Sequence, residues 1–195
     1  MRYFETVAAL AKAIDGDEID ELALGLAAVR ERGGRVFVLG VGGGAGHASH
    51  AVNDFRKLCG IESYAPTDNV SELTARTNDD GWDTTYSAWL VGSRLNEADA
   101  LVVFSVGGGS REHNVSVNLV NALELARDVG ASVYGVVGSP GGAVAEHADA
   151  AILVEPPPDL RTPLVESFQA VIWHALVSHP ELARQTGHWE SIASG

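Results

Sequence analysis

The chain is poor in basic residues, in cysteine and in long apolar runs, and each shortage excludes a class of function. Its 195 residues carry 13 Lys and Arg against 26 Asp and Glu, a formal net charge of -13. Nucleic-acid binding needs a basic stripe that neutralises phosphates, so we expect no direct binding to DNA or RNA. The longest apolar stretches, such as residues 100–106, are far shorter than the roughly 20 residues of a membrane-spanning helix, so we expect no membrane insertion.

A single cysteine, Cys59, excludes a disulfide within the chain. No recognisable motif places a basic partner beside it, so we expect Cys59 to pack as a small apolar residue and not to act as a nucleophile. The first residues, MRYFETVAAL, have neither the basic nor the apolar region of a secretion signal, and we therefore expect a cytoplasmic protein. Aromatic residues are few, at 7%, but hydrophobic residues reach 46%, which is enough for a folded core.

The apolar pattern predicts an α/β fold built on a parallel sheet. Helical spacing predicts two N-terminal helices, over 2–14 and 17–32, with Asp17 as the N-cap of the second. Continuous apolar runs predict strands over 35–40, 100–105, 131–138 and 150–155. Helices are predicted between and after them, over 46–59, 112–129, a short stretch after Gly142, and 163–178. This alternation favours helices on both faces of the sheet, with ligands bound at the carboxyl ends of the strands.

We find no convincing linker, so the sequence predicts one domain over 1–195. It comprises N-terminal helices (1–34), an α/β core (35–178) and a polar, loosely held tail (179–195).

Two glycine-rich turns follow predicted strands. The first, residues 40–44, matches the first two glycines of a dinucleotide fingerprint, and Glu62 lies near the distance expected for the acidic partner. The simpler interpretation is that these glycines only permit a tight turn. The second turn, residues 105–110, offers two hydroxyls and open backbone N–H groups before a predicted helix, which suits a phosphate on a small molecule. Arg111 could add a positive charge there.

Polar side chains also interrupt two apolar helices. On the helix after the first turn, His47, His50 and Asp54 share one face, and the last two have the i, i+4 spacing of metal ligands. On the last helix stand Glu166, Gln169 and His174. Glu166 and His174 are eight positions apart, about 12 Å on a straight helix, so one of them would act as a base unless the helix begins irregularly. A third polar segment, residues 67–90, could line a ligand site, with Asp79 the strongest candidate, or could be a solvated loop.

The order of these motifs resembles the sugar isomerase (SIS) domain family, and within it the sedoheptulose 7-phosphate (phosphoheptose) isomerases, over almost the whole chain. The family's G-x-G-G-S turn and its helix with a His and, four residues later, a Glu resemble residues 40–44 followed by His50 and Asp54. Its T-x-N-D segment resembles the stretch ending in Asn78 and Asp79. Its S-x-S-G-x-S phosphate loop resembles residues 105–110, and its Q-E-x-H-x-x-x-x-H helix resembles 166–174.

The resemblance implies a three-layer sandwich with a five-stranded parallel sheet between helices. It also implies a homotetramer, with N-terminal helices packing in the oligomer and active sites at subunit interfaces. The implied reaction is an aldose–ketose isomerisation through an enediol, with Asp54 and His174 as catalytic groups. The implied ligands of a divalent metal, with zinc expected, are His50, Asp54, Glu166 and His174. The residues implied to bind the substrate and its phosphate are Gly42, Gly43, Gly44, Asn78, Asp79, Ser105, Gly107, Gly108 and Ser110.

The sequence departs from the family pattern at four of these positions. Asp54 replaces a Glu, Glu166 replaces a Gln, and Gly44 and Gly107 replace two serines that face the phosphate. We therefore expect weaker phosphate binding and, because two carboxylates would repel a sugar phosphate without a metal, metal-dependent activity. Two alternatives remain open: a SIS domain used only for phosphosugar binding or as an adaptor, and an isomerase for another sugar phosphate.

Overall fold

The structure, a computed structural model, describes residues 2–185 and has at its centre a parallel sheet of five strands. The strands are β1 (Val36–Gly40), β2 (Ser63–Tyr64), β3 (Ala100–Ser105), β4 (Ser132–Gly138) and β5 (Ala150–Val154). Their order across the sheet is β2-β1-β3-β4-β5, and every neighbouring pair is parallel. Because the order reverses between β1 and β3, the loops that leave these two strands border the crevice where such sheets bind ligands.

Eight helices flank the sheet in the described residues. They are α1 (Arg2–Ala13), α2 (Gly16–Glu31), α3 (Gly43–Cys59), α4 (Val70–Asp80), α5 (Thr85–Gly92), α6 (Val117–Val129), α7 (Gly142–His147) and α8 (Arg161–Val177). One hydrophobic core lies between the sheet and α2, α3 and α8, and a second lies between the sheet and α5, α6 and α7. The predicted three-layer α/β sandwich is confirmed.

Strand β1 shows why the sheet is apolar on both faces. All five of its residues are buried, with Val38 in the first core and Leu39 in the second. Successive side chains of a strand point to opposite faces, so a strand covered on both sides has no solvated position to fill with a polar residue. Each fully buried Val, Leu or Phe contributes about 1.5–3 kcal/mol of transfer free energy to the folded state.

Several predicted boundaries differ from the structure. Asp15, and not Asp17, caps α2, since its carboxylate accepts a hydrogen bond of 3.0 Å from the backbone N–H of Asp17. Helix α3 begins three residues before the predicted position. Helix α6 begins at Val117 and not at 112, because Ser110 and Val115 exchange backbone hydrogen bonds of 2.8 and 2.9 Å and close a tight turn before it.

The predicted loose tail is wrong for residues 179–185. Leu182 is fully buried in the first core, and the guanidinium of Arg30 donates a hydrogen bond of 2.7 Å to its carbonyl. The backbone N–H of Arg184 donates to the carbonyl of Leu58 over 2.8 Å. Residues 186–195, the rest of the predicted tail, lie outside the described residues. Within residues 2–185, the helices fall short of the length and apolar character needed to span a membrane.

Candidate active site

The candidate site follows the seam between α3 and α8, which lie side by side on one face of the sheet. Gly43 lies beside Glu166 near the start of α3, and Asp54 lies beside His174 further along, so the two helices run in the same direction. Both follow strands of the parallel sheet, β1 and β5. Parallel strands place such helix starts at one edge, and the polar side chains of both helices therefore meet along a single line.

His50, Asp54 and His174 converge on this seam. Each offers one ligand atom, and these atoms all lie within 4.8 Å of one another. Oδ2 of Asp54 is 3.6 Å from Nε2 of His50 and 3.6 Å from Nε2 of His174. The carboxylate is buried, whereas the two imidazoles are about half exposed, at 56% and 44%. Two imidazoles and a carboxylate at this separation have the chemistry of a divalent metal site with an open position.

Two neighbours fix the Asp54 carboxylate. The indole Nε1–H of Trp173 donates to Oδ2 over 3.1 Å, and the Asn53 amide donates to Oδ1 over 3.0 Å. Trp173 is itself almost fully buried, and its ring lies 5.2 Å from that of His50 and 4.8 Å from that of His174, between centroids. Hydrogen bonds of this kind orient metal-ligating or catalytic carboxylates. Sequence spacing gave no signal for this role of Trp173, because the contact crosses between helices.

The tautomer of His174 follows from its own helix. Its Nδ1 lies 2.7 Å from the carbonyl oxygen of Ala170, which can only accept a hydrogen bond. Nδ1 therefore carries the proton, and in the neutral ring the lone pair of Nε2 faces Asp54. An imidazole in this state can bind a metal or accept a proton from substrate through Nε2.

Glu166 is not brought into this group. A Cβ on Gly43 would lie 2.6 Å from the Glu166 carboxylate, which places that carboxylate against the first residue of α3. The eight positions that separate Glu166 from His174 span about 12 Å along a regular helix, and α8 is regular here. The implied four-ligand set is therefore a three-residue cluster in this structure, with Glu166 at the other end of the seam.

Glu166 instead lines a cavity of about 350 Å³ next to the predicted phosphate loop. The other lining residues are Val41, Gly44, Phe104, Ser105, Val106, Gly107, Val115, Ser116 and Gln169. Oε1 of Gln169 lies 2.9 Å from Nδ1 of His47, which joins the two helices above the cavity. Gly42 begins the turn that leads to α3, with a φ of 59° that disfavours a side chain.

Some groups of the predicted phosphate loop, residues 105–110, already have partners within the protein and are not free to bind a ligand. Oγ of Ser105 accepts a hydrogen bond of 3.0 Å from the backbone N–H of Gly108, and Oγ of Ser110 accepts one of 3.2 Å from His113, so each hydroxyl keeps its own proton to donate. Gly108 is packed against the backbone of Gly141. Arg111, predicted to add charge to this loop, is paired with Glu124 over 2.8 Å.

The two glycines that replace family serines differ in their surroundings. A Cβ on Gly44 would lie 2.5 Å from the backbone carbonyl of Phe104, so this close approach of α3 to β3 requires glycine. A Cβ on Gly107 would meet nothing within 4 Å. The backbone therefore requires glycine in place of serine at position 44, whereas nothing in the backbone requires glycine at position 107.

Asn78 and Asp79 lie near the end of α4, away from the seam. Both are exposed, and the Asn78 amide donates a hydrogen bond of 2.8 Å to the Asp79 carboxylate. Helix α4 packs mainly on α5 and on the short turn at Trp82–Thr84. In the single chain these two residues do not line the described cavities around the seam, and their predicted role in substrate binding stays a prediction.

The fold and the site together define an α/β domain with a five-stranded parallel sheet and with two histidines and a carboxylate on one helix seam. The family model of the SIS domain matches residues 2–138, and the chain belongs to the SIS domain family. The phosphoheptose isomerase of Rhodospirillum rubrum is 34% identical over 149 residues, which cover 74% of this chain and 74% of that protein. The structure of a phosphoheptose isomerase from Francisella tularensis superposes with a TM-score of 0.76 at 25% identity, covering 91% of this chain and 93% of the other.

A further relative comes from a biosynthetic system. The lincomycin biosynthesis protein LmbN of Streptomyces lincolnensis is 38% identical over 162 residues, which cover 75% of this chain. This chain spans 56% of the length of that protein, so the match concerns only part of it.

Proposed function

We propose that this protein is an aldose–ketose isomerase that acts on a phosphosugar, with the interconversion of sedoheptulose 7-phosphate and a heptose 7-phosphate as its reaction. The observation that carries the proposal is the convergence of His50, Asp54 and His174 on one helix seam of a SIS domain. Relatives at 34% identity over three quarters of the chain are phosphoheptose isomerases, which supports the same substrate class.

Asp54 is the group we assign to proton transfer between C1 and C2 of the sugar. Its two oxygens accept one hydrogen bond each, from Asn53 and Trp173, so each oxygen keeps lone-pair capacity for a substrate proton. The Nδ1–H of His174 donates to the carbonyl of Ala170, so Nε2 has its lone pair available either to bind a metal or to exchange a proton with a sugar oxygen. The burial of Asp54 limits access of water to the carboxylate.

The same three side chains, His50, Asp54 and His174, could hold a divalent metal, and we propose zinc, which imidazole and carboxylate ligands commonly bind. A bound divalent cation would supply Lewis-acid stabilisation of the negative charge that develops on the sugar oxygens. The protein leaves the metal position accessible to a substrate, because the side chains of His50 and His174 are about half exposed.

The phosphate is assigned to the loop of residues 105–110. Ser105 and Ser110 each keep a hydroxyl proton to donate, and the side-chain position of Gly107 is open. Of the predicted glycine turn of Gly42, Gly43 and Gly44, Gly44 lines the same cavity. Asn78 and Asp79 line neither cavity beside the seam in the single chain, and their contact with substrate is proposed for the assembled oligomer.

A homotetramer in the cytoplasm with interface active sites is part of the same proposal. Helix α1 buries only Leu10 in its own chain and leaves Phe4 66% exposed, while Leu24 on α2 is 54% exposed. Apolar side chains left open on two adjacent helices are typical of a surface covered by another subunit. Light scattering coupled to gel filtration would give the mass of the assembly, and a monomer would contradict this part.

The decisive experiment compares Asp54→Asn with the unchanged protein on sedoheptulose 7-phosphate. The substitution keeps the shape and the acceptor for Trp173 but removes the base, so turnover should fall by about 100-fold or more. Asp20→Asn is the matched control, since Asp20 is an exposed carboxylate that pairs with His179 over 3.0 Å, far along the chain from the seam. Equal turnover of both variants would contradict the assignment.

The alternative is a SIS domain that binds phosphosugars without turnover, favoured by the glycines at positions 44 and 107. Calorimetric binding of sedoheptulose 7-phosphate with no turnover, and binding unaffected by Asp54→Asn, would identify this case. Turnover of a different ketose phosphate would retain the isomerase and change the sugar.

A further inference from the structure

The side chain of Tyr86 connects the helical layer opposite the seam with the end of strand β1. Tyr86 lies in α5 and is fully buried in the second core. Its hydroxyl donates a hydrogen bond of 2.5 Å to the backbone carbonyl of Gly40, the last residue of β1. The glycine turn that begins α3 follows Gly40 directly. A residue on the far face of the sheet therefore contacts this turn.

The carbonyl of Gly40 needs this donor because the neighbouring strand is too short to supply one. The carbonyl of Arg35 accepts a hydrogen bond from Ala100 at the start of β3, and successive carbonyls of a strand point to opposite sides. The carbonyl of Gly40 therefore points to the side of β2. Strand β2 pairs with only the first two residues of β1 and has ended before this point. Buried carbonyls of native proteins are nearly always paired, and the hydroxyl of Tyr86 supplies the donor here.

Gly40 fixes the start of α3 through a close backbone contact. A Cβ on Gly40 would overlap the carbonyl of Gly44, so the first turn of α3 packs directly on the end of β1. Gly44 lines the cavity of about 350 Å³ beside residues 105–110 and packs in turn against the carbonyl of Phe104. Because both contacts are this tight, a shift of the Gly40 peptide also shifts the cavity wall at Gly44.

Tyr86 is itself held in place by its own segment. The Asn121 amide of α6 donates a hydrogen bond of 2.7 Å to the carbonyl of Asp83, and Oγ1 of Thr85 donates one of 3.2 Å to the carbonyl of Gly81. Burial raises the pKa of the Tyr86 phenol to about 12, so the hydroxyl keeps its proton and stays a donor at neutral pH. The position and the protonation state of the donor are therefore both fixed.

We infer that Tyr86 is a positioning residue, which holds the turn of residues 40–44 at the cavity through the carbonyl of Gly40. Tyr86 is not among the residues that line the cavity, so its effect on a ligand passes through the backbone of the turn. A phenylalanine ring would fill the same space in the core but would leave this carbonyl without its donor. The inference rests on the proposed function, because that function places the phosphosugar in the cavity.

The first test is hydrogen exchange in the ligand-free protein, comparing Tyr86→Phe with Tyr134→Phe. Both tyrosines are buried and each substitution removes one hydroxyl, but Tyr134 lies on β4 in the first core, with its hydroxyl beside Gly25 of α2. The amides of Gly44 and Ala45 donate to carbonyls within the turn and report on its rigidity. Their exchange should be at least 10-fold faster in Tyr86→Phe and unchanged in Tyr134→Phe.

Two outcomes of this exchange measurement would overturn the inference. Unchanged exchange of the two amides in Tyr86→Phe would mean that the turn does not depend on the hydroxyl. An equal acceleration along the whole chain would mean a general loss of stability and no specific effect on the turn.

The second test is steady-state kinetics on sedoheptulose 7-phosphate. A looser cavity wall weakens substrate binding, whereas Asp54 and His174 keep their own hydrogen-bond partners. Tyr86→Phe should therefore raise KM about 10-fold with kcat within 3-fold, and Tyr134→Phe should leave both constants within 3-fold. An unchanged KM, or a loss in kcat alone, would contradict the positioning role. The exchange measurement needs no substrate, so it gives its result even if the isomerase assignment fails.

Discussion

The indole nitrogen of Trp173 donates a hydrogen bond to Oδ2 of Asp54 over 3.1 Å, and the same oxygen lies 3.6 Å from both His50 and His174. Trp173 therefore sets the direction of the carboxylate at the point where the three candidate ligand atoms meet. Its burial in the close-packed core restricts the movement of the ring.

The first prediction concerns Trp173→Phe. The variant keeps an aromatic ring in the core but loses the hydrogen bond, so Asp54 should rotate more freely and the affinity for Zn²⁺ should fall by about 10-fold or more. Competition with a chromophoric chelator measures this affinity. Trp89→Phe is the control, because Trp89 packs against Phe37 in the other core. Equal losses in both variants would show that the hydrogen bond is not what orients the site.

The second prediction contrasts two glycine-to-serine substitutions in the cavity wall. Gly107→Ser adds a hydroxyl into open space and should lower the KM for the phosphosugar by about 3-fold or more, in line with one added hydrogen bond to a charged group. Gly44→Ser drives a side chain against the Phe104 carbonyl and should reduce both stability and activity. Steady-state kinetics with thermal unfolding on both variants tests the pair, and a tolerated Gly44→Ser would disprove the close contact.

The third prediction concerns the structural ion pair of Arg35 and Asp99. Asp99 is almost fully buried. Its carboxylate accepts a hydrogen bond of 2.7 Å from Nη2 of Arg35 and two hydrogen bonds from Asn96. Asp99→Ala leaves the guanidinium without its partner and should lower the free energy of unfolding by about 3 kcal/mol, measured in urea. Glu72→Ala, which breaks a more exposed i, i+4 pair with Arg76, should cost less than about 1 kcal/mol. Similar losses of unfolding free energy in the two variants would mean that the burial of Asp99 does not strengthen its ion pair with Arg35.

The fourth prediction concerns Cys59 at high pH. Burial raises the pKa of this thiol to about 12, so the native protein should resist thiol reagents at pH 8 and react only when unfolded. Above about pH 9 the unfolded chain loses a proton that the native chain keeps, so the free energy of unfolding should fall as the pH rises. Cys59→Ala should show a weaker fall between pH 9 and 11, and rapid labelling of the native thiol would contradict the burial.

Apolar runs predicted four of the five strands because those strands pack between two layers of helices, whereas β2, with only Ser63 and Tyr64, has no such run and was implied only by the family resemblance. The run of residues 100–105 matches β3 at both ends, since a buried strand between a polar loop and a glycine turn has clear limits. The start of α6 was missed because the exchange of hydrogen bonds between Ser110 and Val115 leaves no pattern of apolar residues.

The candidate site was predictable only where it follows helix periodicity. His50 and Asp54 share a face at i, i+4, His174 is a polar residue in the apolar last helix, and the family resemblance implied that the three act together. The place of Glu166 depends on how closely α8 approaches Gly43, and the role of Trp173 depends on a contact between helices. Neither contact can be predicted from the spacing of residues along one helix.

Because α8 carries both Gln169 and His174, its regular geometry fixes the distance between these two side chains along the seam. They are five positions apart, a rise of about 7.5 Å along the helix axis. A single inserted or deleted residue between them would turn one side chain by about 100° off the seam. The distance between the two side chains can therefore change only in steps of about one helical turn if both are to stay on the seam.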